Sequence, residues 1–332
     1  MKTTIQAGLL AVILMLVLPA QARVFKIATI SPDGTSWMKL MREGAEQIRQ
    51  QTQDRVVFKF YPGGVMGNDE NVLRKMRIGQ LQGGAVTAGS LAAIYPDISI
   101  YGLPFLFTSL EQVDRVRRRL DETLLSGLEG KGYVAFGLAE GGFSYMMSDQ
   151  KLSTVDDVRH QKVWIPSGNE IGEVVFRQAG IAPVTLPLSD VMTGLQTGLI
   201  DTVITSPIGA LALQWHTRIR YVIDVPLSYY SALLVMSKKA FNKIKPADQQ
   251  IVRRIMGGIF RQIDARNRKD NIAARQALIN QGIEFVSLSP AALDAWHRIG
   301  EAATRELEQN NRFSRELYDA LKNNLQAAST AR

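Results

Sequence analysis

Lys162-Val163-Trp164-Ile165-Pro166-Ser167-Gly168, together with Asp190 to Pro207 downstream, decides the fold of this chain. Val163, Trp164 and Ile165 favour extended backbone, and Pro166-Ser167-Gly168 stops them before Asn169 can open a helix, so the spacing predicts a strand-to-helix corner. Downstream, Ser189 is placed to cap a helix and Val191, Met192, Leu195 and Leu199 fall on one helical face. Ile200 to Thr205 then reads as a strand ended by Ser206-Pro207. Both units end at the carboxyl edge of a strand, where open α/β sheets bind small molecules. Trp164, Ser167, Thr205 and Ser206 are therefore candidate ligand contacts.

The same β-α rhythm runs outward in both directions. Val24 to Ile30 is a strand, and Ser31-Pro32-Asp33-Gly34 turns it into a helix carrying Trp37, Leu40, Met41 and Ile48 at helical spacing. The amides around Thr35 to Trp37 suit an anion or a polar ligand atom, although plain capping by Thr35 or Ser36 with Trp37 in the core is the stronger reading of the spacing. Strands at 55–61 and 85–87 flank a helix at 69–78. Helices at 110–120 and 122–129 precede a strand at 133–138. A second extended piece, Phe143 to Ser148, follows Gly141-Gly142 and is expected to cross to another lobe.

Beyond the organising stretch come a helix through Leu211 to Trp215, strands at 221–225 and 232–237, and a nearly continuous helix from Pro246 to Gln281. A helix of some 30 residues reaches about 45 Å, enough to brace two lobes. A short strand at 284–287 and further helix to about 327 complete the chain. The expected organisation is a two-lobed α/β protein with a ligand cleft between the lobes. Residues 1–22 form a leader, 23–142 plus about 232–270 form lobe I, and 143–231 plus about 271–327 form lobe II.

The leader stands apart by composition. Leu9 to Leu18 is an unbroken apolar run after Lys2, and Ala20-Gln21-Ala22 is a small-x-small cleavage site, the pattern of a cleaved secretory signal peptide. The mature chain is then expected in the periplasm, with no membrane insertion of its own. There is no cysteine, which excludes thiolate metal sites and cysteine nucleophiles. The net charge of +8 is interleaved with acids, and with export this argues against a nucleic-acid partner. Arg115, Arg117, Arg118 and Arg119 read as a solvated helix face.

Catalytic motifs are absent from the sequence. His160, His216 and His297 fall in no metal-binding spacing, and there is no GxSxG elbow, phosphate loop or dinucleotide fingerprint. No metal or cofactor is expected. Two lobes, export and clefts supplied with aromatic and hydroxyl side chains favour binding over catalysis, leaving an exported hydrolase built on Asp or Glu as the minor alternative.

The ordered motifs carry a resemblance. Pro32, Gly34-Thr35 and Trp37, then Tyr61-Pro62-Gly63-Gly64 with Gly67-Asn68-Asp69, Gly79-Gln80-Leu81, Leu103-Pro104-Phe105-Leu106-Phe107, Gly142-Phe143, Lys162-Val163-Trp164-Ile165-Pro166 and Leu195-Gln196-Thr197-Gly198-Leu199-Ile200-Asp201 span essentially the whole mature chain. In order and spacing it resembles the DctP-type solute-binding proteins of tripartite ATP-independent periplasmic (TRAP) transporters. The resemblance implies a non-enzymatic, monomeric receptor that closes on a small organic solute and delivers it to two membrane subunits. A receptor presenting its ligand to a sensor is the alternative.

It also marks three departures. Where typical members carry a carboxylate-binding arginine this chain has Trp164, where many carry a second arginine it has Ser144 beside Phe143, and where an asparagine is usual it has Thr205. An indole and hydroxyls offer no fixed charge to a carboxylate, though an arginine or lysine from elsewhere would still hold an anion. Trp215 is a further aromatic candidate, with a core role the stronger reading. Trp164→Ala is expected to remove binding while sparing the fold.

Overall fold

Apolar residues at alternate positions and at helical spacing build lobe I around a mixed sheet. The computed structural model describes residues 22–326; the leader lies outside the described residues except for Ala22, as does residue 327. Strand β1 (Arg23–Thr29) buries Phe25, Ile27 and Ala28, and helix α1 (Ser36–Gln51) buries Met38, Met41 and Ile48 against it. Strand β2 (Val56–Tyr61), helix α2 (Asp69–Arg77) and strand β3 (Gly83–Thr87) follow, with β2 and β3 pairing in parallel on either side of β1. The proline-broken segment after β3 forms 3-10 turns at 89–91 and 96–102.

Helix α3 (Leu110–Gly130) is one helix, not the two expected from sequence. Asp121 does not break it, because its carboxylate accepts from Arg117 Nε at 3.0 Å one turn earlier. Arg117 is likewise not on a solvated face: it is buried, and it also reaches the Leu138 carbonyl at 2.7 Å and Asp264 at 2.9 Å.

Strand β4 (Tyr133–Ser148) runs as a single strand where two were expected, with irregular register between Ala135 and Leu138 and between Glu140 and Gly142. Lobe II follows as α4 (Val155–Arg159), β5 (Trp164–Pro166), α5 (Glu170–Gln178), β6 (Val184–Leu186), α6 (Val191–Thr197), β7 (Thr202–Thr205), α7 (Pro207–Ala212) and β8 (Tyr221–Ile223). At the organising corner Gly168 takes φ +75°, which glycine adopts without penalty, and Asn169 caps α5 by accepting from Gly172 N at 3.1 Å. Ser189 does not cap α6: a 3-10 turn at Leu188–Asp190 leads into that helix, and the Ser189 hydroxyl donates to Asp190 instead.

Strand β9 (Ser228–Ser237) returns to lobe I, pairing antiparallel with β3 and β4, and short helix α8 (Lys238–Phe241) follows. Helix α9 (Pro246–Asn280) spans 35 residues, or about 52 Å at 1.5 Å per residue. Its Met256, Ile259 and Phe260 join the lobe I core and its Leu278 joins the lobe II core. Strand β10 (Glu284–Val286), α10 (Pro290–Gln309) and α11 (Arg315–Gln326) end the described chain.

The strands form an eight-stranded sheet in the order β10-β8-β4-β9-β3-β1-β2, with β7 also on β4. Residues 145–148 of β4 pair with β7, so this strand begins in lobe I and ends in lobe II. The parallel pair β5-β6 attaches through a bridge between Val163 and Thr202. One boundary differs from the expectation that 271–327 belongs to lobe II. Trp296 of α10 packs in lobe II, but Ala303, Leu307, Phe313, Leu317 and Leu321 join Val113, Leu120 and Leu124 of α3 in the lobe I core. The second half of α10 also lies along α5 of lobe II, where Glu306 pairs with Arg177 and Gln178 and Val174 joins the same cluster, so the C-terminal helices strap the lobes. Among the described residues no helix is long and apolar enough to cross a membrane.

Candidate functional site: an interlobe cavity

The carboxyl ends of β1, β3, β5 and β7 converge on a cavity of about 410 Å³ between the lobes. Ile30 and Ser31 enter after β1, Thr87 to Ser90 after β3, Pro166 to Gly168 from β5, and Thr205 from β7. The strands that join the lobes form its floor: Ser144 and Met146 come from β4, and Ser228, Tyr230 and Ser231 from β9. A second, more open groove lies outside it, between the start of α1, α7 and the middle of α9. Trp37 lines both spaces.

Of the residues singled out in the sequence, Trp164, Ser144, Thr205, Ser167, Trp37 and Trp215 line the cavity. Trp164 is nevertheless only 2% exposed. Its Nε1 donates to the Leu186 carbonyl at 3.0 Å, and its ring meets Trp215 edge-to-face at 5.1 Å, so most of the indole is lobe II core. Ser144 and Ser228 are register partners across β4 and β9, and among the described residues neither hydroxyl has a hydrogen-bond partner, nor does that of Thr205.

Three candidates sit elsewhere. Thr35 lines the outer groove and donates its hydroxyl to the Pro32 carbonyl at 3.0 Å, without capping α1. Ser206 is fully buried, accepts from Gly209 N at 3.3 Å as the cap of α7, and shares a hydrogen bond with the Tyr230 hydroxyl at 3.2 Å. Phe143 packs edge-to-face on Tyr229 at 5.7 Å in the lobe I core. Neighbours on a strand point to opposite faces, so Ser144 faces the cavity and Phe143 does not.

The electrostatics of the wall are one-sided. Asp69, Glu70 and Glu140 line the cavity, and among the described residues no Lys, Arg or His does. Glu140 is held from behind: Arg268 donates to it while also forking onto Asp114 at 2.9 and 2.8 Å, and the Tyr229 hydroxyl donates to it at 3.3 Å. Arg268 in turn holds the Asp114 carboxyl below the usual carboxylate range. Burial, and to a lesser degree the Glu70 charge, pushes the Asp69 carboxyl up, against the lowering effect of the nearby Ser90 hydroxyl and of the Thr87 amide and hydroxyl, which both donate to Oδ2 at 2.9 Å. Burial also raises the Tyr230 phenol. No group of His, Asp and Glu among the described residues is arranged to hold a metal ion.

Sequence reasoning missed Asp69, Asn267, Tyr230, Phe105 and Trp296, all of which line the cavity. Asp69 carried a signal, since it opens α2 just after a glycine-rich turn at a strand end. Asn267 lies midway along α9, and only the tertiary fold brings it under Glu140, whose carbonyl accepts from Asn267 Nδ2 at 2.7 Å.

This architecture matches a known class across its length. The sequence profile of bacterial extracellular solute-binding protein family 7, DctP, matches residues 27–311. The chain belongs to this family. It is 25% identical over 301 residues to the C4-dicarboxylate-binding periplasmic protein DctP of Rhodobacter capsulatus, covering 88% of this chain and 89% of that protein. It is 22% identical over 211 residues to the uncharacterized protein YiiZ of Salmonella typhimurium, spanning 62% of this chain and 64% of that relative. Solved structures share the fold. A TRAP periplasmic solute-binding protein from Xanthobacter autotrophicus with bound β-D-galacturonate superposes with a TM-score of 0.82 at 17% identity, covering 91% of this chain and 99% of the other. DctP7 of Bordetella pertussis, a receptor binding pyroglutamic acid, reaches 0.83 at 18% identity, covering 92% and 100%. The family 7 chain is thus a two-lobed α/β solute-binding receptor of a TRAP transporter, not an enzyme.

Proposed function

We propose that this receptor is exported with removal of its leader, works as a monomer in the periplasm, and captures a solute with a largely apolar body in the interlobe cavity for delivery to the membrane subunits. The observation that carries this reading is a cavity walled by strand ends of both lobes and floored by β4 and β9, the two strands that connect them. A ligand touching both walls contacts more protein when the lobes meet, and this differential affinity shifts the population toward the closed form. Trp37 and Phe105, with the edges of Trp164 and Trp215, supply apolar wall, while Ser144, Thr205 and Ser228 orient a few polar atoms.

The test is a melting screen of mature protein, stripped of copurified ligand by unfolding and refolding, against a broad metabolite library. A ligand bound only by the folded state at a hundredfold excess over its Kd adds about 2.7 kcal/mol and raises the midpoint. A library that leaves the midpoint unmoved throughout contradicts the reading.

A further inference from the structure

The polar groups of the cavity wall lack partners in a pattern that specifies what a ligand must bring. Among the described residues five buried side-chain polar atoms have no hydrogen-bond partner, and three belong to cavity-lining residues: Asp69 Oδ1, Asn267 Oδ1 and Trp37 Nε1. Asn267 is 8% exposed, and its amide orientation is fixed because Nδ2 donates to the Glu140 carbonyl, leaving Oδ1 as the bare acceptor. On Asp69 the Thr87 donors occupy Oδ2 and the Ser90 hydroxyl donates to the Thr87 carbonyl at 2.7 Å, so Oδ1 is bare and, in the carboxylate form, an acceptor. Neither Asp69 nor Glu70 has a salt-bridge partner among the described residues, and no cation lines the cavity.

We infer that, within the receptor reading above, the cavity selects solutes whose polar end donates hydrogen bonds, namely amines or alcohols on an apolar body, and discriminates against carboxylates. A carboxylate brings acceptors only. In this wall it meets Asp69 and Glu70, which have no salt-bridge partner among the described residues, and no lining cation, while Glu140 is already paired with Arg268, and it leaves both bare acceptors unpaired. An ammonium or hydroxyl supplies the missing donors to Asp69 and Asn267, and its oxygen, where it has one, can accept from Trp37 Nε1. The apolar body then lies against the aromatic edges.

Matched probes test this directly. 3-Phenylpropylamine, 3-phenylpropan-1-ol and 3-phenylpropanoate, with cyclohexyl and n-butyl counterparts, are titrated calorimetrically into stripped protein. The amine or alcohol of a given body should bind at least about tenfold more tightly than the carboxylate, because each buried group left unpaired costs about a factor of ten or more. Asp69→Asn should lower amine affinity by about tenfold and alcohol affinity less, with the melt of the variant recording that it folds. Equal or tighter binding of the carboxylate overturns the inference while the receptor reading stands on its library screen. Amine affinity unchanged in folded Asp69→Asn overturns the assignment of the donor end to Asp69. Binding by none of the probes overturns the inference as well.

Discussion

Trp164 sits where wall and core meet, and its two roles differ in energy. The ring buries nearly its whole surface, pairs with Trp215 and satisfies its N–H on Leu186, so Trp164→Ala should cost about 3–5 kcal/mol of stability. Thermal or urea unfolding reads this, and a loss below about 1 kcal/mol would restore the sequence-based expectation of a spared fold. Asp69 behaves in the opposite way. Burial raises its folded pKa above the unfolded value, so its ionisation opposes folding, and the penalty fades as pH falls toward the unfolded pKa near about 3.9. Asp69→Asn should therefore match or exceed the parent midpoint at pH 7, and this advantage should vanish toward pH 4. A lower midpoint at pH 7 would mean that the charge does more at the start of α2 than burial costs it.

Elements set by local pattern were legible in the sequence, whereas those set by contacts across the chain were not. The corner at Trp164 to Gly168, the strand leading to Thr205 and the long helix follow from propensity, periodicity and turn residues, and each forms close to its expected bounds. The expected breaks at Asp121 and at Gly141-Gly142 failed because an Arg117 contact and pairing with β9 carry the chain through. Arg117 looked solvated because nothing local announces Asp264 or Leu138 as partners. Among site residues, those at strand ends could be found, but Asn267 on α9 could not. The joint between lobes offers a test at this scale. Gly142 has φ +95°, and a Cβ there would lie 2.7 Å from Asn271 Nδ2. Asn271 Nδ2 donates to Gly141 O at 3.2 Å in lobe I, and its Oδ1 accepts from Ile208 N at 3.3 Å in lobe II. Gly142→Ala should lower stability by about 1–3 kcal/mol and weaken ligand affinity in parallel, checked by urea unfolding and calorimetry. Unchanged values for both would remove this joint from the account.

At the scale of the molecule, two crossing strands, a helix of 35 residues and the strap of α10 and α11 tie the lobes together around the interlobe cavity. In the proposed reading, a guest that bridges the strand ends of both lobes favours the closed form. What distinguishes this receptor is the chemistry of that space: aromatic edges, hydroxyls, three carboxylates and no cation among the described residues. A crystal structure of the protein with the solute it carries from its own cells tests this most directly. The account predicts a guest between the lobes, above β4 and β9, that donates hydrogen bonds to Asp69 or Asn267 and has no Lys or Arg nitrogen within about 4 Å. A guest carboxylate paired with an arginine or lysine, or a guest bound outside the lobes, would contradict it.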